Sequence, residues 1–401
     1  MKKLILILSM VLVCLVIKLQ SQDWNGIVNL YNPPVPQGGV EDWERCALFS
    51  NKDGIHLLTA KYAPSSGYVY YYKLSTTGQV LTGPITLTSS QGNYPTITGD
   101  NNNLYAVYHQ GSNIKVHRST DGGANWSSNI GFTQTANSCN GVDAEYTTQR
   151  GLHVVWSEKV GSVYESYFYR YYNGSWQNNF NITNTSSIQN GGMPTVTVSN
   201  SKAHVSVNTG TGNTFENNVG QVYSRDFNYS SWSSPIAITT NPLSRVDKIF
   251  SKGDIMHAFY YINSDPIALK YRRKAVNDAS WSTDVTIDDA VYPTNQTHKI
   301  SVAQSTNDSI HVSYIKPPYG FVTKSIHKNG GSFSGLSSVS EGGVSHRDGA
   351  VACSSNDKFF IYSQIDNYYK YRQYDALPLA PQNISVTAIH QSGYNYPLLS
   401  W

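Results

Sequence analysis

Gly151-Leu152-His153-Val154-Val155 reads as a short strand, a ring followed by apolar residues between polar flanks. The same arrangement recurs in Gly54-Ile55-His56-Leu57-Leu58, Asn103-Leu104-Tyr105-Ala106-Val107, Lys202-Ala203-His204-Val205-Ser206, Ile255-Met256-His257-Ala258-Phe259, Ser309-Ile310-His311-Val312-Ser313 and Asp357-Lys358-Phe359-Phe360-Ile361. The spacing is roughly 50 residues, the length of a supersecondary unit repeated in an array. Between these runs the chain is rich in Tyr, Thr, Ser, Asn and Gly and poor in helix formers, so the expected class is all-β.

A second marker follows most of the runs. A Trp or Phe opens an outer strand in Trp126 to Thr133, Trp176 to Thr183, Trp232 to Thr239, Trp281 to Ile287 and Phe333 to Val339, with a weaker version at Leu81 to Thr88. The seventh repeat lacks this strand, because Tyr374 leads directly to Pro378. Asp23-Trp24-Asn25-Gly26-Ile27-Val28-Asn29-Leu30 has the outer-strand pattern and no inner strands before it. Pairing the two supplies the missing piece and leaves no long sheet edge exposed. The prediction is a seven-bladed β-propeller of four-stranded blades over residues 23–375, closed by the N-terminal strand. Beyond it, Leu377-Pro378-Leu379-Ala380-Pro381-Gln382-Asn383-Ile384-Ser385-Val386-Thr387 and Leu398-Leu399-Ser400-Trp401 resemble the first two strands of a fibronectin type III domain. Two strands alone are marginal in water. Residues 376–401 are therefore expected to be a truncated domain of a longer modular protein.

Met1-Lys2-Lys3 and the apolar run Leu4 to Ile17 form a charged region and a hydrophobic region too short to span a bilayer, so residues 1–22 read as a signal peptide. Val13 before Cys14 does not suit a lipoprotein signal. No later stretch approaches the roughly 18 apolar residues of a membrane helix. The mature chain is expected outside the cell or at its surface, without a membrane span and monomeric. The formal charge of +3 includes Lys2, Lys3 and Lys18; removing these from the 29 Lys and Arg leaves 26 against 26 Asp and Glu. A neutral chain without a basic cluster lacks the footprint of a nucleic-acid binder. Cys46, Cys139 and Cys353 are too few and too scattered for a metal cluster or a disulfide framework and read as small buried residues. A bond between Cys46 and Cys353 requires the first and last repeats to be neighbours.

Ser119-Thr120-Asp121-Gly122-Gly123-Ala124-Asn125-Trp126 matches S-x-D-x-G-x-x-W, the Asp box, and on this motif the chain resembles the sialidase-like propellers. Tyr172-Asn173-Gly174-Ser175-Trp176 and Asn277-Asp278-Ala279-Ser280-Trp281 are degenerate versions. The resemblance implies a turn between third and fourth strands in which Ser119, Asp121, Gly123 and Trp126 are scaffold, Asp121 accepting backbone N–H bonds and Trp126 packing between blades. For a sialidase it also implies three arginines on the substrate carboxylate, an aspartate as acid/base and a tyrosine nucleophile paired with a glutamate. Arg45, Arg245 and Arg347 match that triad in number, whereas Arg45 is followed by Cys46-Ala47 in place of the family's Ile-Pro.

A catalytic residue is needed once, so the repeated His56, His153, His204, His257 and His311 read as packing residues, each satisfied by a backbone partner. More informative is what changes from repeat to repeat. The positions leading into the first strands read Glu44 and Arg45, Tyr94, Asp143 and Glu145, Met193, Arg245 and Asp247, His298, and His346, Arg347 and Asp348. They describe one asymmetric polar funnel. Arginines there suit the carboxylate of an acidic sugar, and Tyr62, Trp156, Tyr260 and Tyr319 suit stacking on sugar rings. Arg45, Arg245, Arg347, Tyr94 and Trp156 are accordingly the candidate ligand-binding residues and a glycan or polysaccharide the expected partner. If the chain is an enzyme, Asp143, Glu145, Asp247 and His298 are the catalytic candidates: carboxylates for glycoside hydrolysis, or His298 with His109 and Arg245 for a polysaccharide lyase. The alternative is a non-catalytic adhesion or structural module. No cofactor or metal ligand set is predicted, and a calcium ion in the central channel is left open.

Overall fold

Each repeated ring stands on the second strand of an antiparallel sheet. The computed structural model describes residues 28–30, 43–63, 66–90, 92–133, 139–184, 192–210, 219–264, 266–289, 291, 300–316, 318, 320–340, 346–354, 357–364, 369–374, 385–391 and 394–400. The predicted signal segment lies outside them. Strand β1 (Val28–Leu30) precedes a four-stranded sheet of β2 (Trp43–Asn51), β3 (Gly54–Ala63), β4 (Ser66–Leu74) and β5 (Val80–Thr88). A second sheet holds β6 (Gly92–Gly99), β7 (Leu104–Gln110), β8 (Asn113–Ser119) and β9 (Phe132–Thr133). The third holds β10 (Cys139–Thr147), β11 (Gly151–Val160), β12 (Val163–Tyr172) and β13 (Ser175–Asn181).

Seven strands form the next sheet: β14 (Gly192–Val198), β15 (Ala203–Asn208), β16 (Gly220–Phe227), β17 (Ile236–Lys252), β18 (Ile255–Ile262), β19 (Ala268–Ala275) and β20 (Val285–Asp289). Its long strand β17 serves both halves. Ile236, Ala237, Thr239 and Ser244 pair with β16, and the stretch from Ser244 to Lys252 pairs with β18. A further sheet contains β21 (Ser301–Gln304), β22 (Ser309–Lys316), β23 (Gly320–His327) and β24 (Ser337–Ser338). The last contains β25 (His346–Ser354), β26 (Asp357–Gln364) and β27 (Tyr369–Tyr374), with β1 as its outer strand. The tail forms a separate hairpin of β28 (Ser385–Gln391) and β29 (Tyr394–Ser400).

The expected closure is present. Val28, Asn29 and Leu30 pair with Tyr371, Lys370 and Tyr369, and Leu30 is buried with Phe359, Ile361 and Tyr371 against Ile55, Leu57 and Tyr72 of the first sheet. The first strands pack in order β2, β6, β10, β14, β17, β21 and β25, and β25 packs against β2. Cores lie between neighbouring sheets, as in the cluster joining Val107, Ile114 and Val116 to Val142, Val154 and Trp156. A sheet with two apolar faces can bury both only by being sandwiched, and a closed succession gives every sheet two neighbours.

Three details differ from the sequence expectation. Trp176 lies inside its outer strand as expected, but other outer strands begin later than their aromatic residues: β9 is only Phe132–Thr133 and β17 begins at Ile236. The tryptophans turn inward instead, Trp126 meeting Tyr71 at 4.8 Å and Trp232 meeting Phe168 at 5.0 Å, both edge to face across the sheet interface. Four of the five repeated histidines are held by side chains, whereas His153 meets the backbone of Glu145 and Gly151. His56 contacts Tyr71 Oη at 2.8 Å, His204 Asp226 at 2.8 Å, His257 Tyr271 Oη at 2.8 Å and His311 Ser325 Oγ at 2.6 Å, each partner lying on the third strand of the same sheet. Finally, none of Cys46, Cys139 and Cys353 is in a disulfide. β2 and β25 are indeed neighbours, but Ser50, not Cys46, reaches the Cys353 carbonyl, at 2.5 Å. Four residues of strand separate the two cysteines by roughly 13 Å, beyond the ~7 Å between Cα atoms that a disulfide tolerates.

Candidate functional site

The first strands begin, and the turns joining second to third strands lie, at one end of the ring, here called the mouth. Arg45 opens β2 opposite Ala60, Arg245 lies in β17 opposite Tyr261, and Arg347 follows the first residue of β25. Their backbones share the mouth. The side chains of Arg45, Arg347 and Tyr62, and all of His298 and Tyr319, lie outside the described residues, and with them any convergence of three guanidiniums.

Strand bulges re-aim the chain at this end. Register shifts fall between Asn93 and Thr96, Asn140 and Val142, Gly192 and Thr195, Val246 and Lys248, and His346 and Gly349. In three of them the residue four before the one paired with the repeated ring has positive φ: Tyr94 at 51°, Gly141 at 56° and Met193 at 47°. Only glycine adopts that region freely, so Tyr94 and Met193 carry strain that the surrounding sheet sustains. Tyr94 is buried, its ring 5.0 Å from His109.

Asp143 stands two residues before the partner of His153, as Thr195 does for His204 and Ser301 for His311. Each accepts a backbone N–H from the next first strand: Asp143 from Val196 at 3.0 Å, Thr195 from Ile249 at 3.0 Å and Ser301 from Val351 at 3.0 Å. Two residues further along, Thr98 accepts from Tyr146 at 3.0 Å and Thr197 from Ser251 at 2.9 Å, and Glu145 bonds the N–H of Val198. The second oxygen of Asp143 meets Lys248, whose Nζ lies 2.8 and 2.6 Å from the carboxylate oxygens. Glu145 keeps part of its surface exposed, but the packed inner strands push its pKa up to about 7 against the pull of Lys248.

Asp247 behaves similarly. It is 3% exposed, accepts the N–H of Ile300, and its other oxygen is 3.6 Å from Arg245 Nη2. Arg245 is itself buried, at 6% exposure. Trp156 is wholly buried, stacked at 5.7 Å on Tyr167 and donating Nε1 to Glu158 Oε1 at 2.9 Å. Tyr260 is also wholly buried, its hydroxyl on Asp284. Neither ring is presented for stacking on a sugar.

The structure adds a group that sequence reading missed. Glu158 and Glu165 are cross-strand partners on β11 and β12 beside the mouth turn. Glu158 is buried; Glu165 is half-buried and accepts from Tyr167 Oη at 2.5 Å and Asn181 Nδ2 at 2.8 Å. Burial, then the hydrogen bond to Glu165, raises the Tyr167 pKa, which is the wrong direction for a tyrosine nucleophile. The half-buried Tyr164 flanks them. The near-palindrome Glu158-Lys159-Val160-Gly161-Ser162-Val163-Tyr164-Glu165, a hairpin with a carboxylate at each end, was the available signal.

Away from the mouth, Arg225 Nη1 reaches the Ile182 carbonyl at 2.9 Å, Arg272 the Ile238 carbonyl at 2.6 Å, Lys324 the Ile287 carbonyl at 2.6 Å and Arg372 the Val339 carbonyl at 2.7 Å. The Arg225, Lys324 and Arg372 contacts tie successive sheets together, and that of Arg272 braces the two halves of the seven-stranded sheet. In the turn between β8 and β9, Asp121 accepts the Asn125 N–H at 2.9 Å and the Ser119 hydroxyl at 2.8 Å, and these bonds hold its pKa down at about 2. Among the described residues no three His, Cys, Asp or Glu are arranged to hold a metal ion, and no helix is long and apolar enough to cross a membrane.

No family profile matches the chain, and no curated protein matches its sequence. Solved structures are similar in fold. The BP39L lectin from Burkholderia pseudomallei superposes with a TM-score of 0.58 at 14% identity, covering 82% of this chain and 95% of that one. A protein of unknown function from Dyadobacter fermentans gives 0.51 at 9% identity, covering 88% and 99%. The sialidase of Trypanosoma rangeli gives 0.47 at 11% identity, covering 78% and 59%. The all-β chain has a β-propeller fold.

Proposed function

We propose that the chain is a secreted, seven-bladed propeller that binds a glycan at its mouth without cleaving it. The count of seven takes the long sheet as two blades sharing β17, which the change of partner at Ser244, from β16 to β18, supports. The turn from Ser119 to Trp126 is read as its Asp box and the β28–β29 hairpin as the opening of a fibronectin type III domain.

One observation carries the preference for binding. Asp143 holds the N–H of the next first strand in the place where Thr195 and Ser301 do the same with a hydroxyl. A residue that serine or threonine replaces in sister blades is a staple, and Asp247 on Ile300 follows the same logic. Glycoside hydrolysis needs two carboxyl groups facing the substrate, and these two face the scaffold. What remains at the mouth suits a neutral or acidic sugar: the half-buried rings of Tyr68, Tyr164 and Tyr167, with Glu165 and Asn181 to receive and donate hydroxyl hydrogen bonds. The lectin relationship is one of fold and is compatible with this reading.

The test is a glycan array probed with the mature chain, followed by mass spectrometry of incubated sialylated, uronate-rich and neutral oligosaccharides. Retention of particular glycans with intact masses, lost in Glu165→Gln, is expected. New reducing ends or unsaturated sugars would overturn the binding reading in favour of a hydrolase or lyase. No retention of any glycan favours the adhesion or structural alternative.

A further inference from the structure

Opposite the mouth, the β10–β11 turn and the β14–β15 turn enclose a cavity of about 260 Å³ lined by Thr147, Thr148, Arg150, Val198 and Ser199, among others. We infer that this cavity is an oxyanion site, built on Arg150, that takes a carboxylate or sulfate substituent of an acidic glycan or the free anion. It is separate from the mouth and does not depend on what binds there.

The cavity wall carries positive charge without a counter-charge. Arg150 lies with its guanidinium carbon 4.3 Å from the centre of the Tyr229 ring, and its Nε is enclosed with no hydrogen-bond partner. Arg170 approaches the same ring at 4.8 Å and Tyr172 at 4.0 Å, and donates Nε to the Arg150 carbonyl at 2.7 Å. Among the described residues neither arginine forms an ion pair. Two guanidiniums sharing one aromatic ring, the second 7% exposed, repel each other unless an anion compensates them. The carboxylates of this neighbourhood do not do so. Asp100 is taken by Thr148 at 2.9 Å and by the N–H groups of Asn102 and Asn103, and Glu145 is held toward its neutral form.

The aromatic platform is itself maintained against strain. Tyr229 has φ of 69°, in a turn between β16 and β17 where glycine is the easy choice. Its hydroxyl is enclosed and unpartnered. A non-glycine residue kept in that region is a pointer to a site when a physical use is visible, and the use here is a ring that holds the guanidinium of Arg150, a residue of the cavity wall. A fork of N–H donors matches the two oxygens of a carboxylate or sulfate. The volume is just below the ~300 Å³ at which ligand clefts usually begin, which fits one charged substituent and not an oligosaccharide.

Titration calorimetry of the mature chain at constant ionic strength tests this, with sodium sulfate, sodium glucuronate and neutral glucose as probes. Sulfate or glucuronate, or both, is expected to bind in a manner that depends on Arg150, and glucose is not. Which of the two binds more tightly separates a sulfate from a carboxylate site. Arg150→Gln, which keeps bulk and removes charge, is expected to weaken binding roughly tenfold to a hundredfold, and Arg150→Lys to restore only part of it. Glu165→Gln at the mouth should leave this binding unchanged, so failure here and failure of the mouth reading are told apart. Circular dichroism melts check that each variant is folded; Arg150→Lys, with its partial loss of affinity, serves if Arg150→Gln is not. Wild-type binding of neither anion, or unchanged affinity in Arg150→Gln, overturns the proposal.

Discussion

Asp143 Oδ2 accepts the backbone N–H of Val196 at 3.0 Å, across the interface between two sheets that share no other strand pairing. The same carboxylate holds Lys248 from β17, further along the seven-stranded sheet that contains Val196. Removing the side chain leaves a buried amide and a three-quarters buried ammonium without partners. Asp143→Ala is expected to cost about 3 kcal/mol in urea-determined stability, the low end for a broken buried pair because Lys248 retains some water. Asp143→Thr copies Thr195 and should lose clearly less. Equal losses in the two variants would count against the staple and leave the carboxylate's charge as its purpose.

Glu145 supplies a pH signature. Its pKa is raised from the ordinary 4.5 to about 7, so between those values the folded chain holds a proton that the unfolded chain releases. Stability from this group is present below about pH 4.5 and is lost as pH rises through 7. Glu145→Gln should remove that loss, making the variant more stable than wild type at pH 8 and no more stable at pH 4.5. Chemical denaturation at the two pH values reads the difference; a variant less stable at pH 8 contradicts the assignment.

The repeated histidines act in the opposite direction. Burial lowers the pKa of His56 to about 4 and those of His257 and His311 to about 3, from 6.5. Between those limits the unfolded chain binds protons that the folded one refuses, so stability falls as pH drops from about 6.5 toward 3. His257→Gln, whose amide can still meet Tyr271, should shallow the acid limb of the stability curve. An unchanged slope would mean that His257 is already protonated in the fold.

Closure of the ring was legible because the chain's two ends carry halves of one pattern: an outer strand at Val28 to Leu30 and a repeat at Phe359 that lacks one. Period and turn chemistry suffice for that. The outer strands were harder, because Trp126 and Trp232 mark the point where the chain turns to pack and not the start of pairing. At the mouth, charge in a chain sparing of charged residues reads as function whether it faces a ligand or a neighbouring strand. Only alignment on the repeated ring reveals that Asp143 shares its position with Thr195 and Ser301. The opposition of Glu158 and Glu165 depends on register, which the hairpin at Gly161 sets and composition does not.

The turn from Ser119 to Trp126 gives the sharpest packing test. Gly123 has φ of 91°, and a Cβ there would lie 1.8 Å from Tyr71 Oη, the hydroxyl that also holds His56. Gly174, in the corresponding turn of the third sheet, has φ of 80° with nothing within 4 Å of a Cβ. Both alanine variants pay the left-handed backbone strain of about 1–2 kcal/mol. Gly123→Ala must in addition displace Tyr71, which is fully buried between Trp126 and His56, adding about 1–3 kcal/mol. Thermal melts of the two variants should therefore differ, with Gly123→Ala the less stable. If both fall by the same amount, the loop yields without moving Tyr71, and the turn constrains the neighbouring sheet less tightly than its geometry implies.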